Sequence, residues 1–189
     1  MVDLTGLHKH FIKEHLGEGD VAVDFTMGNG NDTLFLSETV GPSGKVYAFD
    51  IQEDALVSTR NHLVESGAPE NYTLICASHH RVKEFVEGPI KAGMFNLGYL
   101  PRSGRKAVTT MRETTMPAVE AAISLLAPDG VLIVAIYPGH DEGRLEGEML
   151  REYFATLSRF RICASEFRIL NSPTSPYFFL IEKSPKKFD

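Results

Sequence analysis

Apolar residues at Leu7, Phe11, Ile12 and Leu16 recur at helical spacing, which predicts a helix over residues 7–16. The Gly17-Glu18-Gly19-Asp20 cluster stops it. A short apolar run at 21–25 then reads as a buried strand. Helical spacing returns over 33–40 and ends at Gly41-Pro42-Ser43-Gly44, a stop followed by a turn. Residues 45–51 (KVYAFDI) read as a second strand. A helix over 53–66 opens with acids, which suit a helix N-terminus, and stops before Gly67-Ala68-Pro69. A strand at 72–76, a short helix at 81–86 and a strand at 93–97 follow.

The alternation continues past Pro101. Residues 114–126 have helical spacing, with Pro117 expected in the first turn, where a missing N–H costs little. Ala127-Pro128-Asp129-Gly130 reads as a turn. Residues 131–137 are almost wholly apolar, as in a central parallel strand covered on both faces. A polar-faced helix spans 142–157. Two closing strands, 161–168 and 177–182, have only a Ser/Pro-rich connection between them, so they are expected to form an antiparallel edge. Strand–helix alternation implies right-handed crossovers. The expected fold is α/β and Rossmann-like, a mostly parallel sheet of seven strands with helices on both faces. Residues 1–189 contain no repeat or linker and read as one domain.

Composition narrows the function classes. The net charge of −6 argues against broad, non-specific nucleic-acid binding, which needs clustered cations, but leaves room for a local basic patch. No apolar run approaches a membrane span, and Met1–Gly6 has no basic, apolar signal-peptide pattern. A cytoplasmic protein is expected. Cys76 and Cys163 lie far apart in apolar surroundings and read as reduced core thiols. No residue spacing points to a metal. His8, His10 and His15 read as surface or packing residues of the first helix.

The segment Asp24-Phe25-Thr26-Met27-Gly28-Asn29-Gly30-Asn31-Asp32-Thr33 joins a strand to a helix. Its glycines allow a tight turn and close approach of a ligand to the backbone. In a parallel sheet such a loop lies at the carboxyl ends of the strands, where ligands bind. It lacks the third glycine of dinucleotide enzymes and the Gly-Lys-Ser/Thr of a phosphate loop. Carboxylates at both ends disfavour a pyrophosphate and favour a cationic ligand. The second strand ends in Asp50, 20 residues after Gly30, where an acid can accept both hydroxyls of a ribose. Ile51 and Gln52 would lie beside that ribose and its purine, and Ser78 and His79 follow the third strand.

These strings, with Phe95-Asn96-Leu97-Gly98-Tyr99-Leu100-Pro101, Thr114-Thr115 and Tyr137-x-x-His140, resemble class I S-adenosylmethionine-dependent methyltransferases. Within them the chain is similar to a small bacterial group labelled rRNA methylases, from about Leu7 to about Lys183. A member of that group methylates the aminomethyl nitrogen of 5-aminomethyl-2-thiouridine at the tRNA wobble position. The resemblance implies that Asp24, Thr26, Gly28, Asn29, Gly30, Asp32 and Thr33 hold the methionine part of the cofactor. Asp50, Ile51 and Gln52 would hold the ribose, and Ser78 and His79 would border the adenine. Asn96-Leu97-Gly98-Tyr99 occupies the place of the Asn/Asp-Pro-Pro-Tyr motif of amino-methylating relatives. There the Asn orients the target amine and the aromatic ring packs on the substrate. Tyr137 and His140 are further candidates for proton acceptance.

The sequence departs from the group's pattern at Arg102-Ser103-Gly104-Arg105-Lys106 and at Pro138. Both loops should face the substrate. Arg102, Arg105, Lys106 and Arg112 are cations clustered near Tyr99 and suit a phosphate backbone, with Pro101 grouped beside them on the substrate side. The expected partner is RNA, with tRNA favoured over rRNA, and no membrane; the oligomeric state is left open between monomer and homodimer. The competing readings are a small-molecule N- or O-methyltransferase and a cofactor-binding module without chemistry.

Overall fold

The computed structural model describes residues 3–97, 111–139 and 141–186. Seven strands form one sheet in the order β3-β2-β1-β4-β5-β7-β6. These are β1 (Val21–Asp24), β2 (Lys45–Asp50), β3 (Tyr72–Cys76), β4 (Ile90–Leu97), β5 (Leu126–Ile136), β6 (Ile162–Phe167) and β7 (Tyr177–Lys183). The pairs from β3 to β5 are parallel. Strand β7 runs antiparallel between β5 and β6, which is the antiparallel edge the sequence predicts.

Alternating side chains of the sheet build two cores. On one face Ala22, Val46, Met94, Ile133 and Leu180 pack with helices α1 (Leu4–His15) and α2 (Asn31–Val40). Helix α3 (Glu53–Glu65) covers Ala48 on that same side. On the other face Phe25, Phe49, Phe95, Leu132 and Val134 meet α4 (Arg112–Leu125) and α5 (Asp141–Ala155). Residues 131–136 of β5 are fully or almost fully buried between β4 and β7, as their unbroken apolar run requires. Among the described residues no helix is long and apolar enough to cross a membrane.

The structure corrects several local expectations. Residues 127–130 lie within β5, where Leu126 pairs with Ile90 but Val131 pairs with Ala92. Four residues of β5 thus face one of β4, and Asp129 takes a φ of 58° in this bulge. Helix α4 begins at Arg112, so Pro117 sits in its second turn and removes a donor from the helix ladder. The short helix near residue 81 is a 3-10 helix starting at His79. Neither cysteine is a core thiol: Cys76 is exposed on the outer strand β3 and Cys163 is half-buried on the outer strand β6.

The strand order reverses direction between β1 and β4. This switch point leaves a crevice at their carboxyl ends, because the crossovers from the two strands leave to opposite sides. The Asp24–Thr33 loop and the end of β4 both open there.

Candidate active site

The loop after β1 is tied down from beneath. Asp24, the last residue of β1, is completely buried. Thr33 donates its hydroxyl to Asp24 Oδ2 at 2.7 Å, and the Thr26 amide donates to Oδ1 at 3.1 Å. One carboxylate therefore clamps both ends of the loop. Burial, then the nearby charge of Asp32, pushes Asp24 up to a pKa of about 7.

The turn between those ends depends on two glycines. Gly28 and Gly30 have φ of 51° and 85°, the left-handed region that side chains resist. At Gly30 a Cβ would also lie 3.0 Å from the Thr59 backbone on α3. Helix α3 fixes the turn from its other side. Thr59 donates to the Gly28 carbonyl at 3.1 Å and Ser58 donates to Asn29 Oδ1 at 3.2 Å. Sequence reasoning missed both hydroxyls. Their adjacency on one helix was the available signal, but it names no partner.

Asp50 ends β2 beside this turn. Its Oδ2 accepts the Gly28 amide at 3.1 Å and its Oδ1 accepts the Gln52 amide at 3.0 Å. Burial raises its pKa against the pull of these hydrogen bonds. A carboxylate has about four lone-pair sites. The Ile51 amide and the Gln52 side chain also hydrogen-bond to this carboxylate, so a ribose hydroxyl would share or displace one of these contacts. Ile51 is exposed and Gln52 half-buried at the same edge.

Beyond β3, Ser78 is hydrogen-bonded to His80 at 2.8 Å. His79 turns inward. Its Nδ1 lies 3.3 Å from the Phe25 carbonyl, and its ring meets Phe95 edge-on at 5.6 Å. Burial lowers its pKa to about 4, so the ring is neutral.

Asn96 occupies the far wall of the crevice, next to last in β4. Its backbone amide donates to Thr26 Oγ1 at 2.7 Å, which joins β4 to the glycine loop. Its side-chain Nδ2 donates to Asp32 Oδ2 at 2.7 Å. A carboxylate can only accept, so this contact fixes which end of the amide is nitrogen. The amide oxygen is left facing Tyr137, whose hydroxyl donates to it at 3.3 Å. Burial raises the Tyr137 pKa, and Asp32 adds to the effect. Lys9 of α1, unanticipated in the sequence, places its ammonium 3.3 Å from Asp32 Oδ1.

Thr115 and Glu146 join α4 to α5 through a 2.6 Å hydrogen bond between fully buried side chains. Arg112 and Glu142 add an ion pair at 3.0 Å. The Thr114-Thr115 string thus contributes a helix–helix tie on the face of the sheet that carries α4 and α5. Tyr99, Pro101, Arg102, Arg105, Lys106 and His140 lie outside the described residues. Among the described residues no cluster of His, Cys, Asp and Glu could hold a metal ion.

This donor set fits S-adenosylmethionine. Asp50 and Asp32 lie at the crevice with Asp24 buried beneath it, acidic surroundings that suit a cationic ligand. Asp50 stands at the end of β2, where an acid accepts ribose hydroxyls, and the glycine turn admits a ligand close to the backbone.

The profile of a family described as "Putative rRNA methylase" matches residues 46–183. A chloroplastic tRNA (mnm(5)s(2)U34)-methyltransferase of Arabidopsis thaliana is 37% identical over 176 residues, which are 88% of this chain and 64% of that protein. The chain therefore spans less than two thirds of that relative's length. The crystal structure of a putative rRNA-methylase from Clostridium thermocellum superposes with a TM-score of 0.92 at 37% identity, covering 97% of this chain and 98% of that one. A putative methyltransferase from Streptococcus mutans, solved in complex with SAH, gives 0.87 at 34% identity over 97% and 99% of the two chains.

Proposed function

The chain belongs to the "Putative rRNA methylase" family and has the class I methyltransferase fold, and from that premise we propose that it methylates an amine nitrogen of RNA. The favoured acceptor is the aminomethyl group of 5-aminomethyl-2-thiouridine at the tRNA wobble position. The identity to the chloroplastic enzyme named for mnm(5)s(2)U34, the nucleoside that methylation of this acceptor would give, supports this choice. Bound S-adenosylmethionine supplies an electrophilic methyl carbon on a positively charged sulfur.

The observation that carries the reading is the fixed orientation of Asn96. An amine must arrive neutral, with its lone pair aimed at the methyl carbon. The Asn96 oxygen accepts an N–H of that amine and so turns the lone pair away from itself. The Tyr137 hydroxyl, already bonded to this oxygen, can rotate to accept a second N–H. No strong base is needed, because the proton of the methylated ammonium can leave to water. Asp24 acts from beneath by shaping the loop, and Asp50 takes the ribose. Tyr99, Pro101, Arg102, Arg105 and Lys106 follow Asn96 in sequence. We assign Tyr99 to stacking on the extruded base and the cations to the phosphate backbone. We assign His140 to proton acceptance or substrate contact.

A residue that orients the acceptor should matter to turnover far more than to cofactor affinity. Asn96→Ala is expected to bind S-adenosylmethionine within about threefold of wild type while single-turnover methylation falls by about 100-fold or more. Calorimetric titration beside single-turnover rates checks this. A near wild-type rate would remove Asn96 from the reaction.

A further inference from the structure

We infer that Lys9 and Asp32 are positioning residues for methyl transfer, through which helix α1 sets the orientation of the Asn96 amide. This rests on the reading of Asn96 given above. Asp32 uses both oxygens: Oδ2 takes the Asn96 Nδ2 at 2.7 Å and Oδ1 faces the Lys9 ammonium at 3.3 Å. The Lys9 and Asp32 side chains are largely shielded, 30% and 14% exposed. The ammonium also lies 5.0 Å from the centre of the Phe35 ring on α2. It is therefore held from two sides, by a carboxylate and by an aromatic face.

The helix that carries it is rigidly seated. Ile12 and Leu16 anchor α1 in the sheet core, 0% and 4% exposed. His8, next to Lys9, is buried edge-on against Phe178. Burial lowers its pKa, which favours the neutral ring and leaves Lys9 as the cation at Asp32.

The consequence concerns the two ends of an amide, which have nearly the same shape. Flipping Asn96 would point an NH2 at the incoming amine and set donor against donor. The acceptor-only carboxylate excludes that flip. It does so only while its own rotamer is fixed, and Lys9 supplies that restraint. Without Lys9, Asp32 is free to turn toward a cationic ligand and release Asn96. Asp32 on this account serves the acceptor side of the reaction.

The test is a double-mutant cycle on the full chain. Lys9→Met should lower single-turnover methylation about tenfold and leave cofactor affinity within about threefold, and Lys9→Arg should recover most of the rate. In an Asn96→Ala background, Lys9→Met should cause no further loss. A further loss of the same size there would overturn the inference. So would weaker RNA binding with an unchanged rate at saturation, the mark of a phosphate contact. A second measurement needs no substrate. In nitrogen-15 NMR the Asn96 side-chain NH2 should be protected from exchange in wild type and should lose that protection in Lys9→Met. Unchanged protection would break the link from Lys9 to Asn96. If wild type methylates no RNA, the proposed function fails, and the NMR measurement still decides this one.

Discussion

Asp24 carries an unusual electrostatic load for a single side chain. It is wholly buried and titrates near 7, well above the 3.8 of an exposed aspartate. The unfolded chain loses this proton near pH 4 and the folded chain near pH 7. Between those values the folded state binds more protons, so stability falls as pH rises through the window. The slope from this group is at most ~1.4 kcal/mol per pH unit. Above about pH 7 both states are ionised and the dependence ends. Asp24→Asn keeps the shape and removes the titration, and the Thr33 hydroxyl can reverse to accept from the new amide. Urea unfolding at several pH values should find the variant gaining stability relative to wild type as pH rises from 4 to 7. Parallel curves would place the ionised Asp24 in a better-solvated setting. The carboxylate's position was legible in the sequence from the strand–glycine-loop pattern. Its depth was not, because burial here comes from Thr26, Thr33 and the strands on either side.

At the scale of elements, the glycine turn shows how backbone geometry limits the site. Gly30→Ala must hold a left-handed φ and push against the Thr59 backbone. The expected cost is about 1–3 kcal/mol of stability, with a clear loss of cofactor affinity because the start of α2 moves. Thermal unfolding and calorimetry check both. An unchanged protein would mean that the turn relaxes freely. The strands and helices that sequence periodicity predicts are present, because their apolar spacing matches the faces they bury. The failures have local causes. Pro128, Asp129 and Gly130 look like a turn, yet they form a bulge, because β4 and β5 continue their pairing on both sides of it. Ile90 and Lys91 join β4 ahead of its apolar core because Leu126 offers Ile90 a partner. The sequence places His79 after the third strand without showing its depth, which comes from the buried seat that Phe25 and Phe95 provide.

At the scale of the whole molecule, the site is a convergence of distant segments. Lys9, Asp32, Asn96 and Tyr137 come from α1, the start of α2, β4 and the residue after β5. Spacing alone picks out the glycine loop and Asp50, since that pair follows from one strand–helix–strand unit. Asn96 stands out only through the resemblance of its string. Lys9 carries no local signal and the adjacent hydroxyls of Ser58 and Thr59 name no partner, because each acquires its role from the fold. The central claim is that this crevice methylates an aminomethyl nitrogen of RNA. Its most direct test is wild-type protein incubated with S-adenosylmethionine and tRNA bearing 5-aminomethyl-2-thiouridine at the wobble position, followed by mass spectrometry of the released nucleosides. The account predicts that this nucleoside is replaced by one heavier by a single methylene, with rRNA and small amines left unmodified. Methylation of rRNA or of a free amine, with the wobble nucleoside untouched, would contradict it.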